Sequence, residues 1–224
     1  MESPNRPTQS AAGAGTPGKP KMPTWVKVLL VFGGLAFVGV AVLVGVAATI
    51  APKMQEKQSR FTCVSNLSQL AGLFVVSYRA PPQGPVPRSG PALFVEWRTT
   101  LSKVRPGQEA VFLCPGDRSA VRLEAPGARD AYDSVDLEHV PRALCSYAVR
   151  DFDKYPFDWA SPTVQVIAAC TNHRNGANVA FDNGSARFIE REELGLESDD
   201  EITVGPESKS ELLRVVRYGD GSVK

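Results

Sequence analysis

Hydrophobic positions change their period along this chain, and each change predicts an element. From Val28 to Ala51, "VLLVFGGLAFVGVAVLVGVAATIA", no charged residue occurs. At about 1.5 Å per residue that run gives a helix of roughly 36 Å, enough to cross a hydrocarbon core of about 30 Å. A cleaved signal peptide is the competing reading, but its apolar core runs only about 7–15 residues. An uncleaved single-pass anchor over 25–51 is therefore expected. Beyond Pro52 the period becomes helical and one-sided. Met54, Phe61, Val64, Leu67, Ala71, Phe74 and Tyr78 recur at mostly three- or four-residue steps, with Lys53, Glu56, Lys57, Gln58, Ser65 and Gln69 on other faces. This predicts an amphipathic spine helix over 52–79 that continues the anchor, kinked or broken at Pro52.

The rest of the chain alternates shorter signals. "ALFVEWRTTLSKV" (92–104) places Leu93, Trp97, Leu101 and Val104 on one side of a short helix. "EAVFLC" (109–114), "CSYAV" (145–149) and "TVQVIAAC" (163–170) read as strands. "NVAFDNGSARFIE" (178–190) reads as a hairpin, because Asn183-Gly184 suits a two-residue turn with positive φ at both positions. That turn pairs Asp182 with Ser185, Phe181 with Ala186, Ala180 with Arg187 and Val179 with Phe188. It gathers Val179, Phe181, Ala186 and Phe188 on one apolar face. Short helices are expected near "REELGL" and "SELLRVVRY", the second capped by Ser210. Residues 1–24 and 80–91 are rich in proline and small residues, and 117–142 are mostly polar; these predict a disordered tail and two loops.

Composition changes this picture little. A net charge of +1, with no basic run, excludes a nucleic-acid footprint. Lys19, Lys21 and Lys27 before the span are matched by Lys53, Lys57 and Arg60 after it, so charge does not orient the anchor. Cys63, Cys114, Cys145 and Cys170 all follow the span without a CxxC pair. They read either as up to two disulfides in an oxidising compartment or as four buried thiols, with the pairing open.

Candidate chemistry centres on His173 and Asp182. They could form an acid–base pair or bind metal, and Cys170 stands three residues before His173. The chain has only two His, and no fourth ligand emerges from spacing. No metal, cofactor or catalytic residue is therefore expected, and His173 reads as a brace for the loop entering the hairpin. An aromatic surface of Tyr155, Phe157 and Trp159 is the third option, for a tethered ligand-binding domain.

"HRNGANVAFDNG" resembles the C-terminal signature of bacterial pseudopilin-like proteins, a His, nine residues, then Asp-Gly. His173, Gly176, Asn178, Phe181 and Gly184 match; Asn183 replaces the family's Asp and Asn175 its first Gly. "CVSNLSQLAGLFVVSY", "FLCPGD" and "CSYAV" are similar to further stretches of that family, in the same order. The resemblance implies an α+β, pilin-like fold: a transmembrane helix continuing into an amphipathic helix packed on a small antiparallel sheet. On that reading 80–190 form the globular domain and 191–224 a C-terminal extension. It further implies a non-enzymatic structural or interaction role at the bacterial inner membrane. The partners would be the bilayer and other pilin-like subunits or envelope proteins, with the C-terminal domain periplasmic. One departure stands out: "KMPTWVKVLLVF" occupies the place of the prepilin cleavage site and lacks its Gly and Glu. A pilin-derived domain kept as a fixed anchor fits that departure. The alternative is a membrane-tethered metal-dependent hydrolase using His173 and Asp182.

Overall fold

The computed structural model describes residues 22–79, 88–104, 108–117 and 128–220. Most of the expected N-terminal tail, residues 80–87 of the loop expected at 80–91 and residues 118–127 of the loop expected at 117–142 lie outside these residues. Two compact units divide the chain between Ile50 and Ala51. The first contains the apolar part of helix α1 (Thr24–Phe74). Every described side chain from Val28 to Ala51 is exposed. Among the described residues one helix is long and apolar enough to cross a membrane, by length and composition. Pro52 lies inside α1, so the expected break does not end the helix there.

In the second unit the later part of α1 buries one stripe, Cys63, Leu67, Leu70, Ala71 and Phe74. Their spacing of three or four residues puts them over one another along the helix. Burying each large member contributes about 1.5–3 kcal/mol. A π-helical turn, Val75–Arg79, ends the spine. Helix α2 (Pro91–Val104) follows as expected and buries Leu93, Phe94, Val95 and Trp97.

Five strands form one antiparallel sheet in the order β4-β3-β2-β1-β5. They are β1 (Ala148–Arg150), β2 (Val166–Cys170), β3 (Gly176–Phe181), β4 (Ala186–Glu190) and β5 (Val216–Arg217). The architecture is therefore α+β. One sheet face (Val149, Ile167, Ala168, Cys170, Ala180) shares a core with α1 and α2. The other (Ala148, Val166, Ala169, Ala177, Val179, Phe181, Ile189, Val216) is covered by Leu194, Leu196 and Leu213. The C-terminal extension is thus part of the domain.

Several local expectations are corrected. The hairpin exists, but its register is shifted by one: Ala180 pairs with Ala186, Val179 with Arg187 and Asn178 with Phe188. The loop has three residues, closed by Phe181 N–H to the Ser185 carbonyl at 2.9 Å and Gly184 N–H to the Phe181 carbonyl at 3.1 Å. Gly184 alone in this turn has positive φ, +82°, and the Asn183 carboxamide accepts from the Ser185 amide and hydroxyl instead. Phe188 consequently lies on the face opposite Val179 and Phe181. The alternation misled because both strand faces carry apolar residues, as a sheet covered on both sides requires.

"EAVFLC" is a 3-10 turn, Glu109–Phe112, rather than a strand. The Asn66 carboxamide donates to the carbonyls of Ala110 (3.2 Å) and Leu113 (3.0 Å), so a side chain satisfies groups a ladder would have used. "REELGL" forms turns closed at Gly195, φ +71°. Helix α3 (Ala128–Asp133) interrupts the expected 117–142 loop. Helix α4 (Glu211–Arg214) follows Ser210, whose hydroxyl makes no cap bond, and β5 then takes over from it.

Nothing crowds a Cβ built on Gly184, so Gly184→Val should act through backbone strain alone. A loss of about 1–2 kcal/mol is expected. A thermal melt should show a fall of roughly 2–8 °C; an unchanged midpoint would contradict the positive-φ turn.

Candidate metal centre

Four side chains from separate parts of the chain converge beneath the sheet. Cys63 comes from the buried stripe of α1, and Cys114 follows the 3-10 turn that Asn66 holds against that helix. Cys170 ends β2, and His173 sits in the β2–β3 turn. The three sulfurs and one imidazole nitrogen lie within 4.8 Å of one another, and all four residues are buried.

Each member is held by its surroundings. The Cys114 amide donates to Ser146 Oγ at 2.8 Å, and Ser146 Oγ donates to Asp117 Oδ2 at 3.1 Å. Asp117 also accepts from Arg142 Nη1 at 3.2 Å, which closes the Cys114–Asp117 turn onto the segment before β1. The Gly116 amide donates to Cys114 Sγ at 3.3 Å, and Asn172 Nδ2 to Cys170 Sγ at 3.5 Å. Gly116 is close-packed: a Cβ there would stand 3.0 Å from the Asn172 carbonyl and 3.3 Å from the His173 ring.

His173 presents its two nitrogens to different partners. Nε2 lies 3.3 Å from Cys114 Sγ. Nδ1 is buried with no hydrogen bond, and Glu56 Oε1 stands 3.5 Å away, slightly beyond ordinary hydrogen-bond length. Glu56 precedes Cys63 by seven residues, two helical turns, so one face of α1 supplies both. The same Glu56 oxygen accepts from the Arg174 amide at 3.2 Å, which fixes the carboxylate at the turn.

The thiols differ in acidity. Burial pushes Cys63 and Cys170 well up. Hydrogen bonds from Cys170 and Cys63, with a smaller effect of His173, push Cys114 down. Cys145 lies outside this group; burial pushes its thiol up to about 12.

The other residues singled out by sequence find structural places. Gly176 has no room for a side chain: a Cβ would collide with the Ile189 carbonyl and stand 2.5 Å from Phe188 Cζ. Asn178 is fully buried and donates to the Arg60 carbonyl at 3.3 Å. Phe181 packs in the core under the C-terminal segment. His173 and Asp182 are not brought together. The six residues of β3 lie between them, which at roughly 3.4 Å each separates them by more than about 15 Å. Asp182 instead accepts from the Gln165 amide at 2.9 Å. The pairing that motivated a hydrolase is therefore absent. Phe157 packs against the core, while Trp159 is half exposed, its ring parallel to Phe74 at 6.1 Å and tilted against Phe157 at 4.5 Å.

All four cysteines are free thiols, so the disulfide alternative is not what this structure contains. Sequence spacing missed the cluster because its ligands are 51 and 56 residues apart before the closing Cys170-x-x-His173 pair. One signal pointed toward it, that pair; the face read from the sequence ran through Phe61 and Val64 and left Cys63 off it, whereas the structure buries Cys63 and exposes Phe61. Comparison with protein-family models, curated proteins and solved structures returned no match.

Proposed function

We propose that this protein is a membrane-anchored, non-enzymatic structural or interaction protein of pseudopilin type, with its globular domain outside the cytoplasm of a bacterial cell. The observation that carries the reading is helix α1. Its first part is apolar and exposed throughout, and its later part supplies the spine on which the sheet packs. That combination supports a fixed anchor continuous with a folded domain, as the resemblance in "CVSNLSQLAGLFVVSY" and "HRNGANVAFDNG" implies. A non-enzymatic role is supported by the separation of His173 from Asp182 and by the burial of every cluster ligand, which leaves no open position for substrate.

The test uses the full chain in bacterial cells. The protein should stay in the membrane pellet after an alkaline carbonate wash. Asn183→Cys places a thiol at the exposed hairpin tip, whereas the native thiols are all buried. A membrane-impermeant maleimide should label that variant in intact spheroplasts and leave the parent chain dark. Release by carbonate would remove the anchor, and labelling only after lysis would reverse the orientation.

A further inference from the structure

We propose that Cys63, Cys114, Cys170 and His173 bind one zinc ion in a closed structural site, the imidazole coordinating through Nε2. Three thiolates and an imidazole are a soft, four-ligand set, the type that selects zinc in tetrahedral geometry. A zinc–sulfur distance of about 2.3 Å sets tetrahedral edges of about 3.8 Å. The four ligand atoms already lie within 4.8 Å of one another, so closure around the ion needs a shift of about 1 Å or less.

The surroundings are those of a metal thiolate site. Binding converts three thiols to thiolates and releases three protons, leaving the zinc and its ligands with a net charge of −1. No electron transfer is involved. Two N–H groups already point at the sulfurs that carry this charge, Gly116 N at Cys114 and Asn172 Nδ2 at Cys170. With Nε2 on the metal, His173 must carry its proton on Nδ1, the buried nitrogen that has no hydrogen bond and has Glu56 3.5 Å away. A carboxylate behind a ligating imidazole fixes its tautomer and raises its basicity. Coordination through Nε2 thus places the imidazole proton on the buried Nδ1, facing Glu56, and a small closure of that 3.5 Å gap would give this nitrogen its partner.

Cys145 provides the internal contrast. It is as buried as the other three, but it stands outside the cluster. His139, the other histidine of the chain, is exposed and pairs with Asp136 at 3.2 Å. The site gathers α1, the Cys114 turn, the end of β2 and the β2–β3 turn, so the ion would cross-link four segments of one core. This assignment does not depend on which way the membrane anchor faces.

The experiment is elemental analysis of the full chain purified in detergent without added metal, followed by cobalt exchange. About one zinc per chain is expected, unchanged in Cys145→Ser and lost in Cys114→Ser and in His173→Gln. Cobalt should give the intense ligand-field bands of a tetrahedral site together with thiolate-to-cobalt charge transfer. Because the ligand variants could fail to fold, the parent chain decides. A folded parent that holds no zinc and shows no thiolate–cobalt band would overturn the proposal. So would iron in place of zinc, or a disulfide between any two of Cys63, Cys114 and Cys170. Full zinc retention in both folded ligand variants would overturn the assigned ligands.

Discussion

Gly176→Ala is expected to cost the folded domain about 3 kcal/mol or more, the upper end of what overpacking usually does. The position opens β3 and pairs with Glu190 of β4. A Cβ there would run into the backbone carbonyl of Ile189 and stand 2.5 and 2.9 Å from two atoms of the Phe188 ring. Neither neighbour can give way cheaply. Ile189 is fully buried in the core under the C-terminal segment, and the Phe188 ring is pinned by the Arg60 guanidinium 4.1 Å from its centroid. Relief would require β3 and β4 to separate at the end nearest His173. A thermal melt of the full chain should show a drop of roughly 6–12 °C. Gly184→Val, on the same hairpin but in open space, should cost less, about 1–2 kcal/mol. If the two substitutions proved equal, close packing at Gly176 would be the wrong explanation.

The second large effect is expected at Asp117. Its side chain is 2% exposed and accepts from both Arg142 and Ser146, whose hydroxyl in turn accepts from the Cys114 amide. Asp117→Ala removes the charge partner of a guanidinium that is itself only 14% exposed. Breaking a buried pair from one side costs about 3–5 kcal/mol. The lower end applies here, because Arg142 also donates to the Cys145 carbonyl and lies over the Tyr218 ring. Asp117→Asn keeps the shape and one acceptor, so about 1–2 kcal/mol is expected. Urea unfolding of the two variants separates the cases. Equal losses, within about 0.5 kcal/mol, would show that shape rather than charge holds the turn.

Elements whose signal is local were readable without the fold. The apolar run of α1, the helical spine and α2 each rest on a single long period, although the spine buries Cys63 and Leu70 and leaves Met54 and Phe61 of the expected face exposed. The hairpin was also readable as a hairpin, since Gly184 permits a backbone that other residues resist. Its register was not. Ala180 and Ile189 fall on one face in the pairing expected from sequence, but they lie on opposite faces of the sheet, Ala180 toward α1 and α2 and Ile189 under the C-terminal segment.

The 3-10 turn before Cys114 was hidden for a related reason. "EAVFLC" has the composition of a strand, but Asn66, more than forty residues earlier, takes the carbonyls that a neighbouring strand would have bonded. His173 shows the same division. Its place before the hairpin is a matter of spacing, and a loop brace was a fair reading of that spacing. Its partners are not: Glu56 and Cys63 come from α1, and Cys114 comes from a turn held by Asp117 and Ser146. Periodicity records which residues face inward; it carries no information about which inward residues meet. The long apolar helix, the spine and the hairpin are therefore properties of this amino-acid order. The Cys63, Cys114, Cys170 and His173 cluster is a property of the packed chain, because residues far apart in sequence become neighbours only when the shared core is buried.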